Sequence, residues 1–163
     1  MINPLCRSAQ IAAVIGLALA ALFPFAPVLA AEPPDNVADA LAEAVQACTH
    51  MNGVANTEAV LKAQDLNGDG GEDWIADYSK LKCDGGTNPL CSSAGCTLQL
   101  YFWDGDIAWD VLFEDLVQSY KFGKDKGKPM LYVTTSGLPC NKPIAETCTY
   151  TYRLEKDAVV PVQ

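Results

Sequence analysis

The chain has 163 residues, with 20 Asp and Glu against 11 Lys and Arg and a formal net charge of -9. A nucleic-acid-binding protein needs a basic face that neutralises phosphates, so this composition argues against a nucleic-acid partner. It argues equally against a polybasic surface that docks on membranes. The length suits a single domain.

Residues 1–30 have the composition of an export signal. Arg7 is their only charged residue, and residues 11–22 are apolar apart from one glycine. This apolar run is shorter than the roughly 20 residues that a membrane-spanning helix needs. Val28-Leu29-Ala30 is a small-residue site of the kind that signal peptidase cleaves. We therefore predict cleavage after Ala30, a periplasmic or secreted protein, and no membrane span in the mature chain.

A helix is predicted after the short Pro-containing linker. Asn36 is expected to cap the helix, and the negative charge of Asp39 would interact favourably with the positive N-terminal end of the helix. The pair Asn52-Gly53 should stop the helix. His50 would lie in the last turn, where we interpret it as a helix-end residue and not as a catalyst. The helix would bury one apolar stripe, formed by Val37, Leu41, Val45 and Cys48.

Alternating apolar and polar residues predict strands over most of the remaining chain. Asp104-Gly105 marks a tight hairpin turn, residues 124–128 a charged connection, and residues 155–157 a second turn. The aromatic residues Tyr101, Trp103 and Trp109 are read as core and cross-strand pairs, the alternative being a ligand groove. The fold class is α+β, in which an N-terminal helix packs on an antiparallel β meander within one domain, residues 31–163. The predicted strands cover residues 58–64, 74–79, 98–103, 107–113, 130–135, 149–154 and 159–162.

The mature chain would keep six of the seven cysteines, because Cys6 lies in the leader. An even number of cysteines in an exported chain indicates a disulfide framework. A zinc site is disfavoured, since paired CxxC motifs are missing from the sequence and His50 is its only histidine. Spacing alone leaves the connectivity open. We favour local closure of Cys83 with Cys91 and of Cys140 with Cys148, which leaves Cys48 to pair with Cys96.

One segment, residues 65–73 (DLNGDGGED), carries the spacing of an ion-binding loop. Calcium prefers six to eight oxygen ligands in a flexible shell. Side-chain oxygens would come from the first, third, fifth and ninth positions, and a main-chain carbonyl from the seventh. The alternative is an ordinary acidic turn, but without a cation its carboxylates would repel one another. The predicted calcium ligands are Asp65, Asn67, Asp69, Gly71 and Asp73.

These residues resemble the calcium loops of EF-hands, dockerins and FG-GAP repeats. Ala76 stands where an EF-hand has its closing glutamate, and residues 74–78 alternate like a strand. The resemblance therefore favours the FG-GAP form, DxNxDGxxD between two strands, and implies a structural Ca²⁺ of weak affinity, about 10⁻⁴ to 10⁻³ M. More widely, the leader, the loop and CDGGTNPLCSSAGC (residues 83–96) resemble small exported bacterial proteins of uncharacterised function.

The sequence favours a non-catalytic, calcium-binding, disulfide-stabilised binding protein that acts as a monomer on a partner such as another protein. We predict no enzyme, because GxSxG, HExxH, P-loop and GxGxxG motifs are missing from the sequence. The alternative is a periplasmic inhibitor of a basic, lysozyme-like enzyme. The acidic charge would steer it to its target, and Ser136-Gly137 precedes a cysteine-closed loop that could enter a cleft. An inhibitor should present a protruding loop at residues 140–148.

Overall fold

The computed structural model describes residues 31–103, 105 and 109–162. The predicted signal peptide and the hairpin residues Asp104 and Ile107 lie outside these residues. Within them the chain forms one α-helix and mostly antiparallel strands, which confirms the α+β class. The elements are α1 (Asp35–His50), β1 (Val54–Asn56), β2 (Leu61–Gln64), β3 (Asp73–Asp77), β4 (Lys82–Asp84), β5 (Cys91–Ser92), β6 (Gly95–Trp103), β7 (Trp109–Val117), β8 (Ser119–Asp125), β9 (Lys128–Ser136), β10 (Thr147–Glu155) and β11 (Ala158–Pro161).

The strands are divided among three sheets. The first sheet contains β2, β3, β6 and β5 in that order, with β7 pairing on β6. The second runs β8, β9, β10, β11 through consecutive hairpins, as a meander does. A two-stranded ribbon joins β1 to β4. Because β4 and β5 lie between β3 and β6 in the chain, the first sheet is not built from consecutive hairpins.

The first sheet is covered on both faces, so the fold has three layers. Ile75 of β3 joins a buried cluster with Leu131 and Val133 of the second sheet. The neighbouring residues Trp74 and Ala76 join a different cluster with α1. Successive side chains of a strand point to opposite faces, so β3 is buried along its whole length. The strand that follows the loop at residues 65–73 is therefore the most enclosed strand of its sheet.

The helix ends where the sequence predicts, but it begins differently. It runs to His50, and Asn52 then adopts a left-handed conformation with φ 61°. Asn36 is not the N-cap. The N-cap is Pro34, which has no capping side chain, and Asn36 donates instead to the Trp109 carbonyl over 2.6 Å. Asn36 therefore ties the helix start to β7, a contact between distant parts of the chain.

All six cysteines in the described part of the chain pair as disulfides, which confirms the framework. Cys140 bonds Cys148 as predicted. The other two predicted pairs are wrong, because the bonds join Cys48 to Cys83 and Cys91 to Cys96. Cys91 and Cys96 are direct partners in the β5–β6 register, with Cα atoms 4.0 Å apart. The β1–β4 ribbon brings Cys83 beside the end of the helix, and neither short strand was predicted.

Strand β8 was also missed. Its residues are mostly exposed, so its pattern lacks a continuous apolar face. The connection predicted at residues 124–128 shrinks to a tight turn in which Lys126 and Gly127 have φ values of 49° and 82°. Positive φ at both central residues is the signature of a two-residue hairpin. In the described part of the chain, every helix is too short or too polar to cross a bilayer.

A candidate calcium loop between two strands

The loop at residues 65–73 connects β2 to β3. Gln64 and Asp73 are register partners in this antiparallel pair, so the loop leaves and re-enters the sheet at adjacent positions. A strand follows the loop, as the sequence predicts, and the helix of an EF-hand is not formed here. The loop therefore joins the paired ends of β2 and β3, and the hydrogen bonds between these strands fix both ends of the loop.

Three polar side chains of the loop turn back onto its own backbone. The Asp65 carboxylate accepts from the amides of Gly68 and Gly70 at 2.7 and 3.1 Å. Asn67 and Asp69 each accept from the amide two residues further on, at 2.9 and 2.7 Å. Gly68 and Gly70 have φ values of 83° and 86°, which glycine adopts without a steric penalty. The sequence therefore folds into a tight turn that gathers side-chain oxygens.

Asp73 occupies a different environment from the other loop acids. It is fully buried, and its two oxygens accept from the amides of Leu66 at 2.9 Å and Trp103 at 3.2 Å. Burial raises the pKa of Asp73; the two amides oppose this effect, and the charge of Asp69 adds to it. Desolvation and the second negative charge therefore both disfavour the charged form of Asp73. A cation at the loop would relieve that cost.

The structure brings the predicted ligands together only in part. Asp65 and Asp69 are exposed on the turn, and Asn67 and Gly71 are half-buried beside them, whereas Asp73 points into the protein. Within the described residues, no three His, Cys, Asp or Glu side chains are grouped so that they could hold a metal. Each carboxylate has about four acceptor sites, so an oxygen that accepts an amide still has capacity for an ion.

Two tryptophans that sequence reasoning did not connect with the loop lie against it. The indole N–H of Trp109 donates to the Glu72 carbonyl over 2.8 Å. The ring of Trp103 lies 4.3 Å from that of Trp109, centroid to centroid. Tyr101 is buried in the cluster under the helix. The loop and Trp109 are more than thirty residues apart in the chain, and no local sequence signal could have joined them.

The disulfide loop at residues 140–148 is exposed over residues 141–147. The Gly137 carbonyl closes its base by accepting from the amides of Cys140 and Lys142, at 3.0 and 2.9 Å. Ser136 is buried. Ser136 and Gly137 therefore lie at the base of this loop. Because Ser136 is buried, it cannot enter the cleft of a partner.

Comparison of the chain with protein-family models, with curated proteins and with solved structures found no match.

Proposed function

We propose that this protein is an exported, non-catalytic binding protein that is stabilised by its disulfides and by one structural Ca²⁺ in the loop at residues 65–73. The observation that carries the ion proposal is the buried Asp73 carboxylate beside Asp69. Asp65 and Asn67 supply further side-chain oxygens on the same loop. Oxygen ligands of this kind suit Ca²⁺ better than a transition metal.

The expected stabilisation is modest because the loop has no closing glutamate. Extracellular calcium modules bind with dissociation constants of about 10⁻⁴ to 10⁻³ M. At a calcium concentration tenfold above such a constant, the ion adds about 1.4 kcal/mol to the free energy of unfolding. That amount raises the melting temperature of a domain of this size by a few degrees.

Thermal unfolding of the oxidised protein in EDTA, CaCl₂ and MgCl₂ tests the ion site. Calcium should raise the melting temperature of the wild type and of Asp157→Asn, a control that removes an exposed acid from the β10–β11 turn. It should not raise that of Asp69→Asn. Fluorescence supplies a second readout, because Trp109 is bonded to the loop carbonyl of Glu72. If millimolar calcium changes neither the melting temperature nor the tryptophan emission, the loop does not bind Ca²⁺ and this part of the proposal is wrong.

Support for export comes from the three disulfides, since such bonds persist in oxidising compartments. The test is the mass of the protein recovered from the periplasm or medium of an expressing bacterium. We expect a chain that begins at Ala31. Recovery of the chain with residues 1–30 attached, or only from the reducing cytoplasm, would contradict export.

The exposed loop at residues 140–148 favours a second candidate function, inhibition of a basic enzyme. Ile144 in this loop and Leu138 just before it are 41% and 57% exposed, while the Cys140–Cys148 bond restrains the loop backbone. A restrained loop with exposed apolar side chains binds at a low entropic cost. Lysozyme activity is the assay. The wild type should inhibit and Ile144→Asp should not, whereas equal activity with and without the wild type would exclude this target.

A further inference from the structure

A groove with a volume of about 380 Å³ lies between α1 and the first sheet. Its helix wall carries Ala40, Ala44 and Ala47, which are spaced so that they share one helix face. These small side chains leave space above the sheet that larger residues would fill. The remaining described residues that line the groove are Glu43, Tyr78, Leu90, Thr97, Gln99 and Glu114.

The side chains beneath the groove, which we call its floor, use most of their hydrogen-bond donors among themselves or on the backbone. The hydroxyls of Tyr78 and Tyr101 both donate to the Gln99 side-chain carbonyl, at 3.0 and 2.7 Å. The amide of Gln99 donates to Glu114 over 2.7 Å, and the Thr97 hydroxyl donates to a backbone carbonyl. Burial raises the pKa of both tyrosines, so their hydroxyls remain protonated donors in neutral solution. What is left for a ligand is mainly acceptor oxygens.

The electrostatic character of the groove is negative. Glu43 lies on the helix wall and Glu114 on the strand wall, and among the described lining residues none is basic. After burial, the charges of these two glutamates also contribute to the raised pKa of Tyr78. Both carboxylates line the groove and are exposed to solvent. A ligand that fits must bring donors and positive charge together with an apolar part for the alanine wall.

We propose that the groove binds a primary ammonium group carried on a short apolar chain, whether a free alkylamine or a lysine side chain of another polypeptide. The ammonium would donate to Glu43 and Glu114, and its methylene chain would lie against Ala44 and Ala47. This proposal rests on the binding role proposed above and specifies the chemical class of the ligand. The groove shares no lining residue with the loop at residues 65–73, so it is testable without calcium.

Isothermal titration of the oxidised protein in low-salt buffer with EDTA tests the proposal. The probes are 1,5-diaminopentane and Nα-acetyl-lysine N-methylamide, with Nα-acetyl-norleucine N-methylamide as the neutral comparison. Both amines should bind at a single site with dissociation constants of about 1 mM or below, and the norleucine compound should not bind. Tighter binding of the diamine would assign the groove to free amines, and tighter binding of the lysine compound to a polypeptide side chain.

Glu114→Gln is the informative variant, because its amide oxygen can still accept from Gln99 while the charge is lost. We expect amine affinity to fall about tenfold or more in Glu114→Gln and in Glu43→Gln. Glu146→Gln, which removes an exposed acid from the disulfide loop, should bind like the wild type. The proposal is overturned if neither amine binds, if norleucine binds equally well, or if Glu146→Gln weakens binding as much. Because EDTA is present throughout, these outcomes do not depend on the calcium loop.

Discussion

The Cys48–Cys83 bond should contribute more stability than either of the other disulfides. It joins residues 35 apart, whereas Cys140–Cys148 joins residues 8 apart and Cys91–Cys96 residues 5 apart. A cross-link restricts the unfolded chain more when it closes a longer loop. The chain-entropy relation gives losses of about 4, 2.5 and 2 kcal/mol respectively when each bond is removed.

Three double Cys→Ala variants and the wild type, all unfolded in urea under oxidising conditions, provide the measurement. The variant lacking Cys48 and Cys83 should have the lowest free energy of unfolding. This bond also packs against Gly53, whose position leaves no space for a side chain beside Cys48. An equal or larger loss in the variant lacking Cys140 and Cys148 would refute the entropic reasoning.

Digestion that cleaves before aspartate tests the connectivity directly. It separates residues 39–64, 77–83 and 84–103, which hold Cys48, Cys83 and the Cys91/Cys96 pair. The structure predicts that the first two fragments are linked and that the third carries an internal bond. A species that links all three fragments would instead match the pairs Cys83–Cys91 and Cys48–Cys96, which local closure predicts.

Three further predictions concern the core, the tyrosines and the disulfide loop. Leu131→Ala should cost about 2–5 kcal/mol in urea unfolding, because Leu131 is fully buried between the two main sheets. The exposed Leu138→Ala is its control, and an equal cost in both would contradict this account of the core. Burial, and then the charge of Asp77, raises the pKa of Tyr120 above that of an unfolded tyrosine, about 10. The folded state therefore holds this proton longer, and stability falls as the pH rises above 10. Melting temperatures across that range should fall less steeply in Tyr120→Phe, and equal slopes would exclude Tyr120 as a source. A methyl group on Gly137 would overlap the Pro143 carbonyl, so Gly137→Ala should destabilise the protein by about 1–3 kcal/mol by calorimetry, and an unchanged transition would contradict that packing.

The helix and most of the longer strands follow from local patterns; β8 does not, because its residues are mostly exposed. The apolar stripe that includes Val37 and Cys48 predicts a helix ending near His50, and the alternation around Leu98 and Leu100 predicts a strand. The same reasoning missed β1, β4 and β5, because strands of two or three residues are too short to show a period. It also misplaced the helix cap, since the Asn36 side chain bonds to Trp109, a residue far along the chain.

In the loop at residues 65–73, too, some features follow from the local sequence and others depend on distant residues. Its glycines and oxygen-bearing side chains all lie within nine residues. The sequence alone therefore predicts a turn between two strands, with side-chain oxygens pointing inward. The burial of Asp73 and the contact of Trp109 with Glu72 depend on β6 and β7 packing beside the loop. The spacing of the loop oxygens is therefore set locally, while the desolvation of Asp73 depends on tertiary packing.

The α+β class, the helix, most of the longer strands, the acidic loop and the presence of a disulfide framework could be predicted from the sequence, because each depends on composition or on residues close together in the chain. The folded chain was needed to show that Cys48 pairs with Cys83, that Asp73 is desolvated, and that Glu43 and Glu114 line one groove. Each of these depends on which distant segments meet. Periodicity and spacing carry no information on that choice, since it is made by the packing of the helix and both sheets around shared cores.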